Sequence, residues 1–343
     1  MIAAPRFYAA RLGPPFAAIE DVVAASSWRP LSPLLTRPGL LRGLAIGLRA
    51  RRGDGAALIR RERGTLPALW VCALPPASRR IFVLELIRRP LPHSSWRRLL
   101  YRLWLRLVER PALRRGMAAG QVMTAWELEE YSRHYGIDRT RLEHVAWPLR
   151  EGGDRPPEPI DGASRRVFAS GRTACDWETL FAAASGSAWQ LAVACAARDA
   201  GHVRNLATRT ATPVHVEVSW EEHARLLRRS AVFVLSISDR GLSAGHVRLM
   251  TAVEAGVPVV ASDVPSLHGY VAAGETAVLV SPADPAAMRA AVDELLADAA
   301  RRRVLREQAL AHADGWSYVE YFAALRVAIC DAIAGGPGGA RDV

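Results

Sequence analysis

In the second half of the chain, short apolar runs alternate with stretches in which apolar residues recur at every third or fourth position. RRVFAS (165–170), WQLAVAC (189–195), VHVEVS (214–219), VFVLSIS (232–238) and AVLVS (277–281) are bounded by turn residues and read as buried strands. Between them, WETLFAAA, EEHARLLRRS and PAAMRAAVDELLADAARRRVLREQALAHA read as helices, the last as one long element. Ser219 followed by Glu222 is an S-x-x-E capping box for the helix before VFVLSIS. Strands and helices alternating at these lengths predict α/β architecture with a parallel, doubly wound sheet. No internal repeat points to a solenoid.

Upstream the pattern is less regular. PALWVCAL (67–74) and IFVLELI (81–87) are strand candidates or buried segments, and GQVMTAWELEEYSRHYGI (120–137) reads as a strand leading into a helix. The first 55 residues show neither a clear opening strand nor a glycine turn. EGGDRPPEPIDGAS (151–164) gathers Pro, Gly and acids without periodicity and predicts a linker. The expected organisation is a domain over 1–150, a linker over 151–164, a second domain over 165–330 and a flexible tail over 331–343.

Composition changes this picture only in its charge. A chain of 343 residues, 50% hydrophobic and 23% charged, is ordinary for about two globular domains. No apolar run reaches the length of a spanning helix, and the Arg and Pro of MIAAPRFYAARLGPPF do not suit a signal peptide, so a cytoplasmic chain is expected. Cys72, Cys175, Cys195 and Cys330 are scattered and predict reduced thiols rather than a disulfide framework or a zinc site. All 45 basic residues are Arg, unevenly spread. Residues 1–150 carry 26 Arg against 11 acids, a balance of +15, whereas the remainder stands at −4. Such an excess attracts anionic partners. No helix-turn-helix, zinc-finger or RNP motif accompanies it, so nucleic acid is not expected among them.

Two glycine turns carry candidate chemistry. In VFASGRTACDWETL, Gly171 and Arg172 follow a strand and precede a helix; a glycine there admits a diphosphate, and a guanidinium can pair with its oxygens. In LSAGHVRLMTAVEAGVPVVAS (242–262), Ser243, Gly245 and His246 lie at a helix start, where N–H groups and the helix dipole favour an anion. Two such turns at strand C-termini of one sheet can share a ligand.

From Val167 to about Leu325 the sequence resembles the nucleotide-sugar-binding domain of GT-B glycosyltransferases of the group 1 or family 4 set. The resemblance rests on SGR with DWETL, WEEHARLLRRSAVFVLSIS, SAGHVRLMTAVEAGVPVVASD, GETAVLVSPADPAAM and WSYVEYFAAL, in that order. It implies two Rossmann-like domains facing a central cleft, a nucleotide-diphosphate sugar as donor, no obligatory cofactor or metal, and retention of anomeric configuration. Gly171 and Arg172 would contact the diphosphate, Gly245 and His246 would offer backbone N–H groups, Ser243 and Thr251 would line sugar and ribose, and the segment around Asp263 would lie at the rim. Many family members carry glutamates at the positions of Ser243 and Thr251, and a second basic residue where Cys175 stands. These departures motivate an alternative reading, a catalytically degenerate GT-B protein acting as partner or scaffold.

For the acceptor, Glu85 after IFVLELI and His93 in the following loop are candidates to orient or deprotonate a hydroxyl; an ordinary loop residue is the competing reading for His93. SSWRRLLYRLWLRLVERPALRR (94–115) is a helix pattern in which Leu99, Leu100, Leu103, Trp104 and Leu107 recur together, with Arg97, Arg98, Arg102, Arg106 and Arg110 largely elsewhere. Either it lies in an anionic membrane interface, or it faces the core with its arginines solvated. The expected acceptor is therefore a glycan, lipid-linked or small-molecule species, such as a bacterial cell-envelope glycan, with peripheral attachment at the inner membrane face in the first case. No paired carboxylates, HExxH or nucleophile elbow points to a hydrolase or metalloenzyme.

Overall fold

The computed structural model describes residues 2–19, 21, 39–51, 56–60, 62–89, 91, 94–150, 165–238 and 241–334. Two compact units are formed, one from Met1–Ala146 with Tyr321–Val343, the other from Trp147–Glu320. The last helix therefore belongs with the first unit, where the sequence pattern had extended the second domain to 330. The expected linker lies outside the described residues, as do 335–343 of the expected tail; 331–334 are helical.

The first unit is a parallel six-stranded sheet of β1 (Ile2–Ala4), β2 (Phe16–Ala18), β3 (Ala56–Arg60), β4 (Ile81–Leu84), β5 (Met117–Val122) and β6 (Leu142–His144), in the order β2-β1-β3-β4-β5-β6. An opening strand therefore exists. It is only three residues long, all buried, which is why it leaves so little trace in the sequence.

PALWVCAL is not a strand. Thr65–Ala73 is a helix, and it packs against the helices Leu40–Arg51 and Arg110–Gly116. A helix covered on several sides is apolar all round, and such a short run carries no period that separates it from a buried strand. Glycines permit the close packing. A Cβ on Gly43 would stand 2.1 Å from the Gly64 carbonyl oxygen, and one on Gly116 2.1 Å from that of Leu69.

The second unit repeats the plan with β7 (Arg166–Gly171), β8 (Gln190–Cys195), β9 (Val214–Val216), β10 (Val232–Leu235), β11 (Val259–Ser262) and β12 (Val278–Val280). All pair in parallel, in the order β12-β11-β10-β7-β8-β9. β7 and β10 are central, and from Val232 to Leu235 every residue is buried. Ser219 caps the helix Trp220–Arg228 by accepting from the Glu222 N–H. The expected long helix is two, Pro285–Ala297 and Ala299–His312. Asp298 leaves helical geometry (φ −115°, ψ 95°) and its carboxylate caps the second helix at the Arg301 N–H, 2.8 Å away.

Candidate functional site

In a parallel sheet whose strand order reverses, the loops diverge at the reversal and leave a crevice beyond the strand C-termini. In the second unit that point lies between β7 and β10, since the chain adds β8 and β9 on one side of β7 and then crosses to place β10 on the other. Both glycine turns singled out from the sequence belong to this edge.

Gly171 ends β7. A Cβ there would stand 2.2 Å from Cys175 Sγ and 2.5 Å from an Arg248 terminal nitrogen, so a side chain cannot be added without displacing both. The loop that follows is tied to the segment after β10: Ser238 N donates to Ala174 O, Asp176 N donates to Ser236 O, and Ser236 Oγ donates to Asp176 O. Asp176 in turn caps the helix Trp177–Ala184 through the Thr179 N–H. The turn is thus a fixed backbone cradle.

Arg172 points away from Gly171 along the edge and pairs with Glu217, which also accepts the Ala197 N–H. The pair is exposed, so its guanidinium is held in place by one carboxylate and open to solvent. Beside the turn itself stands a second cation that sequence reasoning missed. Half-buried Arg248, from the helix His246–Glu254, donates to the carbonyls of Ser170 (2.7 Å) and Thr173 (3.3 Å) and contacts Cys175 Sγ at 3.7 Å. Its hydrogen-bond partners among the described residues are uncharged. Burial holds its pKa below the ordinary guanidinium value and pushes the Cys175 thiol up, with Arg248 opposing the latter shift. Arg248 stands three residues after Gly245 and three before Thr251, hence on one helix face with both, and that spacing was the available signal.

Gly245 provides the N-cap of this helix at φ 102°, a left-handed conformation suited to glycine, and no described side chain caps the helix start. A Cβ there would stand 2.6 Å from Ile237 Cδ1. The His246 ring is buried: its Nε2 lies 2.7 Å from Ser266 O and the ring lies against Tyr270, with centroids 4.3 Å apart. Desolvation pushes its pKa down to about 4, which fixes the ring as a neutral donor. Whatever His246 offers to a ligand must come from its backbone.

Ser243 and Thr251 are both buried, with different fates. Thr251 Oγ1 donates to Arg248 O, its own helix backbone, at 2.8 Å. Ser243 Oγ is buried with no hydrogen-bond partner among the described residues. Asp263 pairs with His268 at 2.8 Å on the surface. Nearby, Ser170 Oγ meets His223 Nε2 at 2.8 Å, and burial with the Arg248 charge lowers the His223 pKa.

Of the two acceptor-side residues, one is described. Glu85 lies in the first unit, just after β4, in a left-handed conformation (φ 48°). Tyr8 donates to its Oε1 (2.5 Å) and Arg60 to its Oε2 (2.8 Å), so both oxygens are engaged. His93 lies outside the described residues. Among the described residues no group of His, Cys, Asp and Glu is arranged to hold a metal ion.

Residues 176–298 match the family model of the group 1 glycosyl transferases. Over 92 residues the chain is 41% identical to D-inositol 3-phosphate glycosyltransferase 1 of Catenulispora acidiphila, a stretch covering 26% of this chain and 22% of that protein. The chain thus spans about a fifth of that relative's length. Three solved structures share the architecture. TarM of S. aureus superposes with a TM-score of 0.65 at 10% identity, over 83% of this chain and 58% of TarM. Anabaena HepE, solved with UDP-glucose, gives 0.62 at 13%, over 85% and 82%. A sucrose-phosphate synthase from Thermosynechococcus elongatus gives 0.63 at 18%, over 95% and 82%. At these identities the likeness is one of fold. Residues 176–298 are thus similar to the group 1 glycosyl transferases, and the two parallel six-stranded units share the GT-B fold of these structures.

Proposed function

We propose that this chain transfers a sugar from a nucleotide-diphosphate sugar to an acceptor, with the leaving diphosphate received by Arg172, Arg248 and the backbone N–H groups that start the helix His246–Glu254. The observation that carries the reading is that a glycine cradle, the Arg248 guanidinium beside it and a helix start with no described side-chain cap lie together at the reversal of the second sheet, with the exposed Arg172 on the same edge. When the bond between sugar and phosphate breaks, negative charge accumulates on the diphosphate. Fixed cations and aligned N–H dipoles stabilise that charge without reorganising. Ser243 Oγ, buried and without a hydrogen-bond partner among the described residues, is assigned by this reading to the donor. The proposal includes retention of configuration, no cofactor beyond the donor, and a glycan, lipid-linked or small-molecule acceptor.

The test is a panel of labelled nucleotide sugars, followed by release of the nucleotide diphosphate, beginning with the UDP series that HepE and TarM bind. Turnover of one member with its acceptor supports the proposal. Absence of both binding and turnover across the panel overturns it.

A second reading, a GT-B protein that serves as partner or scaffold, is favoured by Ser243 and Thr251, neither of which supplies a carboxylate; Thr251 is moreover committed to its own helix. Arg172→Ala separates the two, since an enzyme loses activity with it and a scaffold keeps its partner.

A further inference from the structure

We infer that the helix Ser95–Trp104, with the turn after it, docks on an anionic lipid bilayer, lying in the interface rather than crossing it. The helix is turned opposite to the usual soluble arrangement. Tyr101 packs against the core of the first unit and Leu105 is buried. Trp96, Leu99, Leu100, Leu103 and Leu107 instead face solvent, with 61, 60, 54, 47 and 64% of their surfaces exposed. Their spacing of three and four residues puts all five on one face. The sequence alternative of a core-facing helix is thereby excluded: the leucines expected to pack inward point out. Trp104, counted with them in the sequence, is half-buried, stacks on Tyr101 and lies under Arg89.

A contiguous apolar stripe of this size marks a contact surface, and charge selects the occupant. Arg97, Arg98, Arg102 and Arg106 are exposed around the stripe, and the helix Ser95–Trp104 contains no acid. Between residues 86 and 116 there are nine Arg and a single acid, Glu109, which is buried. A second copy would bring arginine against arginine. Anionic headgroups would neutralise the arginines while the stripe enters the acyl boundary. No described helix is long and apolar enough to cross a membrane, which fits docking rather than spanning.

The test is co-sedimentation of the full chain with vesicles of phosphatidylcholine alone or containing about one-third phosphatidylglycerol. It is read without any donor turnover, so it stands or falls separately from the transferase reading. Partitioning onto anionic vesicles should exceed that onto neutral ones by at least about tenfold and fall as salt is raised. The exposed-site variant W96S/L99S/L103S should lose at least about tenfold in partitioning with its unfolding temperature unchanged, and R97E/R98E/R102E should lose the anionic preference. Equal binding to both vesicle types, no binding, or undiminished binding by the serine variant overturns the inference. So does a wild-type dimer in sedimentation velocity that the serine variant converts to monomer, which would assign the face to self-association.

Discussion

Each of the two sheets reverses its strand order once, between β1 and β3 in the first unit and between β7 and β10 in the second, yet the two edges are furnished in opposite ways. After β1, Pro5 leads directly into a helix with no glycine turn. That edge is filled by a closed polar network: Tyr8 and Arg60 donate to Glu85, and Gln121 accepts the Glu85 N–H while donating to Val145 O and Tyr321 OH. After β7 come Gly171 and an exposed Arg172, and after β10 a left-handed Gly245 opening a helix without a described side-chain cap. The same topology thus yields one edge whose carboxylate is satisfied from within and one that carries the cations and helix-start N–H groups assigned to an anion in the proposed function. Topology alone does not make a phosphate site; the residues at the switch do.

Substituting Arg248 tests that contrast most severely. Arg248→Met should weaken nucleotide-diphosphate binding by about a hundredfold, the size of a lost pair of charge-assisted hydrogen bonds, as measured by titration calorimetry. Arg248→Lys keeps charge but not the planar fork and should fall between. The matching change in the first unit, Glu85→Gln, should leave binding unaltered and lower stability by about 1–3 kcal/mol, because Arg60 loses its carboxylate. If the two variants exchanged phenotypes, the assignment of the donor edge would be wrong.

His246 sharpens the contrast through pH. Its ring is folded in as the neutral form with a pKa near 4, against an ordinary value of 6.5. Below pH 6.5 the unfolded chain takes up a proton that the folded chain refuses until about pH 4. Stability should therefore be full above pH 6.5 and decline as pH falls through that window, by about 3 kcal/mol in all. Thermal unfolding of the second unit, followed from pH 7 to pH 4, should show this slope, and His246→Gln should flatten it.

These contrasts also show what could be read from the chain beforehand. The second unit was legible because its strands are continuous apolar runs and its turns carry glycine. The strand Val232–Leu235, the SGR turn and the Ser219 N-cap appear where the pattern placed them, although the Glu222 carboxylate of the expected capping box pairs with Arg225 instead. The first unit was opaque where burial erased periodicity: Thr65–Ala73 lies among helices and carries no amphipathic signal, and β1 has three residues. Arg248 escaped because a single Arg in an apolar helix reads as a solvated residue unless its spacing from Gly245 and Thr251 is counted. The outward face of Ser95–Trp104 cannot be read from spacing at all, since periodicity identifies a stripe without saying which way it turns.

Gly116→Ala probes the packing rather than the edge. The added carbon would meet the Leu69 carbonyl at 2.1 Å, and backbone cannot rotate away as a side chain can. Chemical denaturation should show about 1–3 kcal/mol of destabilisation, assigned to the first unit and leaving donor affinity unchanged.

The smallest stability effect belongs to Arg172, and it is the one that separates structure from function most cleanly. The Arg172–Glu217 pair is 67% and 44% exposed at its side chains, so water screens it and its loss should cost well under about 1 kcal/mol. Arg172→Ala should therefore melt with the wild type while binding the nucleotide diphosphate about tenfold more weakly, the effect of one charge-assisted contact. Glu217→Gln gives the converse. The guanidinium keeps its place but loses its competing anion, so affinity for a diphosphate should hold or rise. If Glu217→Gln weakened binding as much as Arg172→Ala, the carboxylate would be orienting Arg172 toward the donor rather than competing for it.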